Sequence, residues 1–225
     1  MFHGTEKERG QLMITTQKMI PSISDDNRIH WLGDGIYLYR EIFYAFRWIV
    51  LMYNDHFGNN PKDEQLFENY SVLDVEIDYN PDRIFCLDNP EHYMVFKTTE
   101  MEYKKKSAFS SKLARYDYTD GIIINILFKN LNYGENYDAV EAVFPIFELD
   151  DTLTNQSRLK SINEYQICVK NGNIIKNISD VTSSIDYEKF YERYIGFERF
   201  KKGKGKKVSS SKYVNNQRGR KNGKW

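Results

Sequence analysis

Few features of this sequence point to disulfide bonds, metals or membranes. Among its 225 residues there are only two cysteines, Cys86 and Cys168, which are too few for a disulfide framework. No cysteines or histidines have the close spacing of a metal site, so we expect no metal cofactor. The N-terminus lacks a basic region followed by an apolar run, and the longest apolar run, within 121–128, is too short to span a membrane. We therefore expect a cytoplasmic protein without a membrane partner.

Acidic residues are absent from segment 199–225. This segment has eleven basic residues, whereas residues 1–198 have 21 basic and 32 acidic ones. The formal net charge of zero therefore combines an acidic body with a basic tail. Because Gly, Lys, Ser and Asn cannot build a core, we expect disorder beyond Lys201. We predict a folded domain in 1–198 and a basic, disordered tail in 199–225.

The hydrophobic pattern changes between the periods of strands and helices along the chain, which predicts an α+β fold. Segment 120–128 is apolar throughout, so its pattern fits a buried strand and a buried helix equally well. Asn171-Gly172 is a signal for a two-residue hairpin between two strands. The predicted strands are 1–5, 71–79, 137–146, 164–170 and 174–178, and the predicted helices are 11–20, 41–57, 90–106 and 186–200.

The most distinctive stretch is 31–48. Gly33 and Gly35 flank Asp34 just before the run Ile-Tyr-Leu-Tyr, which predicts a tight turn leading into a short strand. Tyr37 in that strand and Trp48 in the following helix are eleven residues apart and can hold a flat ring between them. The alternative is an ordinary strand, turn and helix whose aromatic residues belong to the core.

Two further segments give this stretch its significance. One is Phe2-His3-Gly4-Thr5 and the other is Asn163-Glu164-Tyr165-Gln166-Ile167-Cys168-Val169. In chain order, His-Gly-Thr, then Gly-Ile-Tyr with an aromatic residue eleven positions later, then Glu-Tyr at the start of a strand resemble the His-Tyr-Glu class of ADP-ribosyltransferases. That class includes the poly(ADP-ribose) polymerases and diphtheria-type toxins. The resemblance covers residues 2–176.

The resemblance implies a fold of two packed, mostly antiparallel sheets with flanking helices around a cleft for NAD+, which is the substrate. It implies that Glu164 accepts a hydrogen bond from the nicotinamide-ribose 2′-OH and stabilises a cationic transition state. His3 would bind the adenosine ribose, and the backbone of Gly4 would approach the carboxamide. The implied catalytic residues are His3, Tyr37 and Glu164, and the implied NAD+ contacts are His3, Gly4, Thr5, Tyr37 and Trp48.

The sequence departs from this family pattern at three positions. Ala45 stands where the polymerases commonly have a serine that binds the carboxamide, and Trp48 stands where tyrosine is usual. Ile162 replaces the Gln or Glu that marks arginine-modifying relatives, which disfavours arginine as the acceptor. Arg28 and Arg40 flank the central stretch and suit either the NAD+ diphosphate or a solvated surface.

The sequence therefore predicts a mono-ADP-ribosyltransferase with a macromolecular acceptor, acting as a bacterial toxin or an anti-phage effector. RNA is favoured because the basic tail contains Tyr213 and Trp225, and such segments neutralise phosphates and stack on bases. A protein antitoxin or inhibitor is a further expected partner. Two alternatives remain: the tail serves solubility or docks an inhibitor, and the whole domain is a catalytically inactive module that binds nucleic acid or protein.

Overall fold

The described strands form one mixed sheet. The computed structural model describes residues 1–25, 30–105, 120–149 and 161–206. The strands are β1 Phe2–Glu6, β2 Ile36–Tyr39, β3 Tyr70–Ile77, β4 Ile84–Cys86, β5 Ala139–Leu149, β6 Ser161–Val169, β7 Ile175–Asp180 and β8 Gly205–Lys206. Their order is β4-β5-β6-β2-β1-β3-β7, with β8 paired to β5. The β4–β5 pair is parallel and the other pairs are antiparallel.

Six α-helices accompany the sheet within the same ranges. They are α1 Lys7–Thr16, α2 Ile42–Phe57, α3 Asp63–Asn69, α4 Pro90–Lys104, α5 Asp120–Asn130 and α6 Tyr187–Lys204. Of these described helices, none combines the length and the apolar character that crossing a membrane requires.

The two faces of the sheet pack against different helices. On one side, Met13 of α1 shares a buried cluster with Leu38 of β2, and we call this side the α1 face. On the other, the α2 face, Tyr39 of β2 packs with Phe43 of α2. Helix α5 covers the same face, where its Ile124 packs in a third cluster. Neighbouring residues of β2 thus point to opposite faces, as strand geometry requires.

The α+β prediction is confirmed, but the predicted pair of packed sheets is corrected. Strand β2 pairs with β6, with Ile36 opposite Val169, and so joins β4-β5-β6 to β2-β1-β3-β7. The two halves therefore form one continuous sheet within the described residues. This pairing links segments far apart in the chain, and a hydrophobic pattern does not encode which distant strands become neighbours.

The predicted hairpin at Asn171-Gly172 is wrong. Strand β6 lies between β5 and β2, whereas β7 pairs with β3 at the other end of the sheet. The Asn171 side chain instead accepts a hydrogen bond from the Asn173 backbone at 3.1 Å and donates one to Asp138 Oδ1 at 2.8 Å. The chain does turn at Asn171. Both edges of β6 are already paired, with β5 and with β2, so β7 cannot pair with β6.

Other boundaries also differ from the predicted ones. Helix α1 begins directly after β1 rather than at residue 11, and α3 and β4 had no predicted counterpart. Segment 120–128 lies in α5, where Ile123, Ile124 and Leu127 are fully buried, so a run that is apolar on all sides marks a buried helix here.

Helix α6 and strand β8 extend into the segment that the sequence analysis assigns to the tail. Helix α6 continues to Lys204, and β8 then pairs with the end of β5. The predicted boundary at 198 falls inside α6, and the predicted disorder of the tail stays a prediction. The remainder of the predicted tail, 207–225, lies outside the described residues.

Helix α5 holds the turn that precedes β2. The Asp34 carboxylate accepts hydrogen bonds from the Ser24 backbone at 2.8 Å and from Asn125 Nδ2 at 3.2 Å, and it pairs with Lys129. Asn125 Oδ1 in turn accepts from the Asp34 backbone at 2.7 Å. Burial opposes ionisation of Asp34, but the hydrogen bonds from Lys129, Ser24 and Asn125 outweigh it and lower its pKa to about 2.

Gly121 allows the same turn to lie directly on α5. A Cβ at this position would be 1.6 Å from the His30 carbonyl oxygen, a separation that no real contact shows. Gly33 in the turn has φ 71°, and a Cβ there would be 2.5 Å from Asn125 Oδ1. These two glycines therefore determine how closely the turn approaches α5. The position of the turn then determines where Tyr37 of β2 lies.

We predict that Gly121→Ala lowers the free energy of unfolding by about 1–3 kcal/mol or more, because the added methyl group must push the turn away from α5. The matched control is Gly196→Ala in α6, where nothing lies within 4 Å of the added Cβ. Alanine has the higher helix propensity, so this control should gain up to about 1 kcal/mol. Urea unfolding measures both variants, and equal effects would contradict the close contact at Gly121.

Asp34 should make stability depend on pH at the acidic end. Its pKa is lower in the folded protein than the ordinary 3.8, so its contribution is complete above about pH 4 and is lost as the pH falls toward 2. Asp34→Asn should lower the free energy of unfolding at pH 7 by about 1–2 kcal/mol. The difference from the wild type should shrink toward pH 2, while the exposed control Asp82→Asn should show no such trend. A pH-independent difference would show that the charge of Asp34 is not what stabilises the turn.

Candidate functional site

The three motif residues lie on adjacent strands. His3 is on β1, Tyr37 on β2 and Glu164 on β6, and β2 lies between the other two strands. Tyr37 is opposite Cys168, four residues after Glu164 on β6. At the rise of a strand, Glu164 therefore lies about 13 Å along β6 from the residue that faces Tyr37. The fold brings the three distant motifs to one part of the sheet.

His3 points away from the other two side chains. A Cβ on Gly4 would be 2.5 Å from the Ala45 carbonyl oxygen of α2, so Gly4 faces α2 and the preceding residue, His3, faces α1. Its Nδ1 lies 2.8 Å from the backbone oxygen of Tyr37, which can only accept, so Nδ1 carries the proton. Burial lowers the pKa of His3 to about 4, so the ring is neutral at pH 7 and its Nε2 is an acceptor.

Tyr37 stabilises the turn from which its own strand starts. Its hydroxyl accepts a hydrogen bond from the Leu32 backbone at 2.9 Å and donates one to the Gly33 carbonyl at 2.7 Å. Its ring centroid is 5.7 Å from that of His30, at an interplanar angle of 44°. Both polar functions of the phenol are thus used within residues 32–33, which fixes the ring on the α2 face.

The other predicted NAD+ contacts have well-defined packing. Gly4 admits the backbone of α2, so its missing side chain already serves helix packing. Thr5 is buried within the sheet, opposite Ser71 of β3. Trp48 is partly buried against the cluster around α2, whereas Tyr37 borders the cluster around α5. The two aromatic rings therefore pack against different parts of the core.

A buried group of charged and polar side chains surrounds Glu164. Arg47 Nη1 of α2 is 3.5 Å from Glu164 Oε2, and Arg47 Nη2 is 3.4 Å from Glu198 Oε1 of α6. Gln166 Nε2 donates a hydrogen bond to Glu164 Oε1. Only 7% of Arg47 and 6% of Glu164 are exposed. We call Arg47, Glu164, Gln166 and Glu198 the Glu164 cluster.

Three elements build this cluster. The period of two along β6 puts Glu164 and Gln166 on the same face. Helix α2 contributes Arg47 and, one turn earlier, Tyr44, whose hydroxyl donates to the Asn163 backbone oxygen at 2.9 Å. Burial, together with the negative charges of Glu41 and Glu164, raises the pKa of Tyr44, so its hydroxyl remains a donor at pH 7. Helix α6 closes the outer side.

The charge of the cluster suits a ligand that is or becomes positive. Two carboxylates and one guanidinium give a formal charge of −1 in a region largely excluded from water. Electrostatic interactions are stronger there than in bulk water, because the local dielectric constant is lower. A group that develops positive charge beside Glu164 would be stabilised, whereas a second anion would be repelled.

Sequence patterns did not identify Arg47, Gln166 or Glu198. Gln166 carried a usable signal, because it is two residues after Glu164 in a predicted strand and must share its face. Arg47 had a weaker one, as a charged residue within the predominantly apolar and aromatic first three turns of α2. Glu198 had none, since nothing local indicates that α6 crosses α2 at this point.

The two arginines considered for the diphosphate are not equivalent. Arg40 pairs with Glu141 of β5, which also accepts a hydrogen bond from the Tyr79 hydroxyl at 3.0 Å. Glu141 is 5% exposed, so this pair anchors Arg40 to the sheet. Arg28 lies outside the described residues.

A cavity of about 340 Å³ is lined by residues of α4, α5 and β5, and its lining does not include the Glu164 cluster. Phe144 of β5 is directly opposite Glu164 and lines the cavity together with Trp31, whose ring centroid is 4.8 Å from that of Phe144. Asp120 also lines it, and burial together with the charge of Glu100 raises the pKa of Asp120. Its lining therefore combines aromatic rings with the charged side chains of Asp88, Lys97 and Asp120. Among the described residues, no three His, Cys, Asp or Glu side chains are grouped so as to hold a metal ion.

Comparison with known proteins finds a relative of similar length. No family model and no solved structure matches the chain. The uncharacterized protein MJ0359 of Methanocaldococcus jannaschii is 32% identical over 218 residues, which cover 87% of this chain and 96% of the relative. The two proteins therefore match over nearly their whole lengths. The chain belongs to the same protein family as MJ0359.

Proposed function

We propose that this protein is a mono-ADP-ribosyltransferase that transfers ADP-ribose from NAD+ to a macromolecular acceptor. The observation that carries the proposal is that Tyr37 and Glu164 lie on the same face of the paired strands β2 and β6, while the adjacent strand β1 holds His3 on the opposite face. These residues were selected from sequence motifs alone, and nothing in the motifs required their strands to be neighbours. We further propose that the sheet and its helices represent an ADP-ribosyltransferase-like fold.

The reaction breaks the bond between C1′ of the ribose and the nicotinamide nitrogen. Nicotinamide leaves with the bonding electrons, the acceptor atom forms a new bond to C1′, and the proton of the acceptor passes to solvent. Positive charge develops on the ribose as the first bond breaks, as in glycoside hydrolysis. Glu164 stabilises that charge, and the net negative charge of the Glu164 cluster acts in the same direction.

For the acceptor we propose nucleic acid, with RNA favoured. Residues 207–225 contain six basic side chains and no acidic one, and such a segment binds phosphates by releasing counterions. The aromatic cavity, which is lined in part by Phe144, the residue opposite Glu164 on β5, suits a planar base. A role as a toxin or an anti-phage effector is part of the same proposal, and a protein inhibitor would then be a partner.

One observation favours the alternative of an inactive binding module. Glu164 is 6% exposed and pairs with Arg47, so substrate must gain access to a carboxylate that is already engaged. Release of nicotinamide from NAD+ by the purified protein separates the two functions. A module that only binds would leave NAD+ intact at any protein concentration.

We predict that Glu164→Gln reduces nicotinamide release and transfer by roughly a hundredfold, or on the order of 3 kcal/mol, while NAD+ affinity falls by much less. The reason is that its interaction with the ribose strengthens in the transition state. Glu76→Gln is the control, because Glu76 is an exposed glutamate on β3. The unfolding midpoints of both variants are also measured, because Glu164→Gln removes the negative charge that pairs with Arg47. Turnover of Glu164→Gln near that of Glu76→Gln would exclude Glu164 from the chemistry.

Deleting 207–225 should leave nicotinamide release unchanged and reduce transfer to RNA. Each lost phosphate contact should flatten the plot of log affinity against log salt by about 0.7, so four contacts would change its slope by roughly 3. The matched control keeps the length of the segment and replaces its six basic residues with glutamine. If both variants bind RNA with the wild-type salt slope, the tail does not recruit nucleic acid.

A further inference from the structure

The guanidinium of Arg47 has a donor without an acceptor. Its Nε is buried and forms no hydrogen bond within the part of the chain that the structure describes, although only 7% of Arg47 is exposed. A buried polar group without a partner is unfavourable, and a charged one more so. The donor lies in the Glu164 cluster, where the proposed reaction takes place. An acceptor supplied by a ligand would satisfy it.

The two bonds that Arg47 does form are loose. Its nitrogens are 3.5 Å from Glu164 and 3.4 Å from Glu198, whereas charge-assisted hydrogen bonds are usually about 2.7–2.9 Å long. Neither carboxylate therefore holds the guanidinium in the close, parallel arrangement of a structural arginine pair. The Phe197 ring, 5.3 Å from the guanidinium carbon, lies against it from α6. The packing around Arg47 therefore positions its guanidinium while Nε remains available as a donor.

The charge of the cluster restricts what the acceptor can be. Phosphate and carboxylate groups are good acceptors, but either would bring a further buried anion beside Glu164 and Glu198, at a high desolvation cost. A neutral carbonyl oxygen avoids that cost. A carbonyl attached to a cationic ring is better still, because the ring is attracted to the two carboxylates that surround the donor.

We infer that Arg47 Nε donates a hydrogen bond to the carboxamide oxygen of the oxidised nicotinamide ring, which makes Arg47 a specificity residue for the amide. This inference rests on the proposed function, because NAD+ is the ligand that carries a neutral amide on a cationic ring. The carboxamide NH₂ group is a donor and finds a carboxylate acceptor in Glu198 of the same cluster.

Helix α6 provides the side of access. The Glu198 side chain is 21% exposed, compared with 8% for those of both Arg47 and Glu164, so solvent reaches the cluster from its α6 side. A ligand that approaches from there meets Glu198 first and Arg47 next. The order of the three side chains thus matches an amide that binds Glu198 and Arg47 while the ribose lies toward Glu164.

Small, unreactive probes test this inference without turnover. 1-Methylnicotinamide carries the cation and the amide, 1-methylpyridinium carries the cation alone, and nicotinamide carries the amide alone. Binding to the full-length protein is measured by NMR titration. In the wild type we expect 1-methylnicotinamide to bind about tenfold more tightly than either of the others, since one hydrogen bond or one charge contact is worth about a factor of ten.

Arg47→Lys retains the positive charge but removes Nε. It should weaken the binding of 1-methylnicotinamide about tenfold and leave the binding of 1-methylpyridinium unchanged. The difference isolates the contact with the amide. Arg193→Lys is the control, because Arg193 is a surface residue of α6 that is 3.6 Å from Glu41. Glu198→Gln should reduce the preference for 1-methylnicotinamide over nicotinamide, since it removes one of the two negative charges.

Two results would overturn the inference. One is a wild-type protein that binds 1-methylpyridinium as tightly as 1-methylnicotinamide, which needs no variant and does not depend on how Arg47→Lys folds. The other is an equal loss of affinity for 1-methylnicotinamide and for 1-methylpyridinium in Arg47→Lys. If NAD+ is still cleaved in either case, the proposed function stands and only the role of Arg47 fails. If the wild type shows the expected probe selectivity but cleaves no NAD+, the amide site stands and the transferase proposal fails.

Discussion

The pairing of β2 with β6 is the constraint on which the rest of the structure depends. Strand β2 has only four residues, and all four are in register with β6, whereas a single register pair links it to β1. Without this ladder the sheet would separate into two halves, with His3 on one and Glu164 on the other. A strand this short contributes few hydrogen bonds of its own, so its position also depends on the turn that precedes it. Helix α5 supports that turn through Gly121 and through the hydrogen bonds of its Asn125 and Lys129 to Asp34.

Local patterns predicted much of this protein, and the failures follow a physical rule. Helix α2 was correctly bounded because its apolar residues recur with helical period, and it ends at Gly58 in a left-handed conformation. The hairpin at Asn171 failed because the competition for the edges of β6 is decided by β2 and β5, which are distant in sequence. The same limit applies to the site. Glu164 was identified from its motif, but its contact with Arg47 depends on how α2 lies across the sheet.

The Glu164 cluster illustrates the difference between stability and function in a buried ion pair. Removing charges from water costs several kcal/mol per ion, and the loose contacts of Arg47 recover little of that cost. Replacing a buried ion pair with apolar residues of similar volume is often neutral or stabilising. Under the proposed function, these charges act on the ligand rather than add to the stability of the fold. His3 differs, because burial keeps its ring neutral and its hydrogen bond to Tyr37 ties β1 to β2.

The short strand β8 has a mechanical consequence for the basic segment. It pairs with Glu148 and Leu149 at the end of β5, only four residues beyond Phe144, which is opposite Glu164. The segment is therefore tethered about 13 Å along the strand from the residue that borders the catalytic candidate. Its nineteen residues, even when fully extended, span no more than about 65 Å. A polyanion bound by residues 207–225 would stay within about 65 Å of β8. Its local concentration at Glu164 would then depend on the length of this segment rather than on the concentration of the polyanion in the cell.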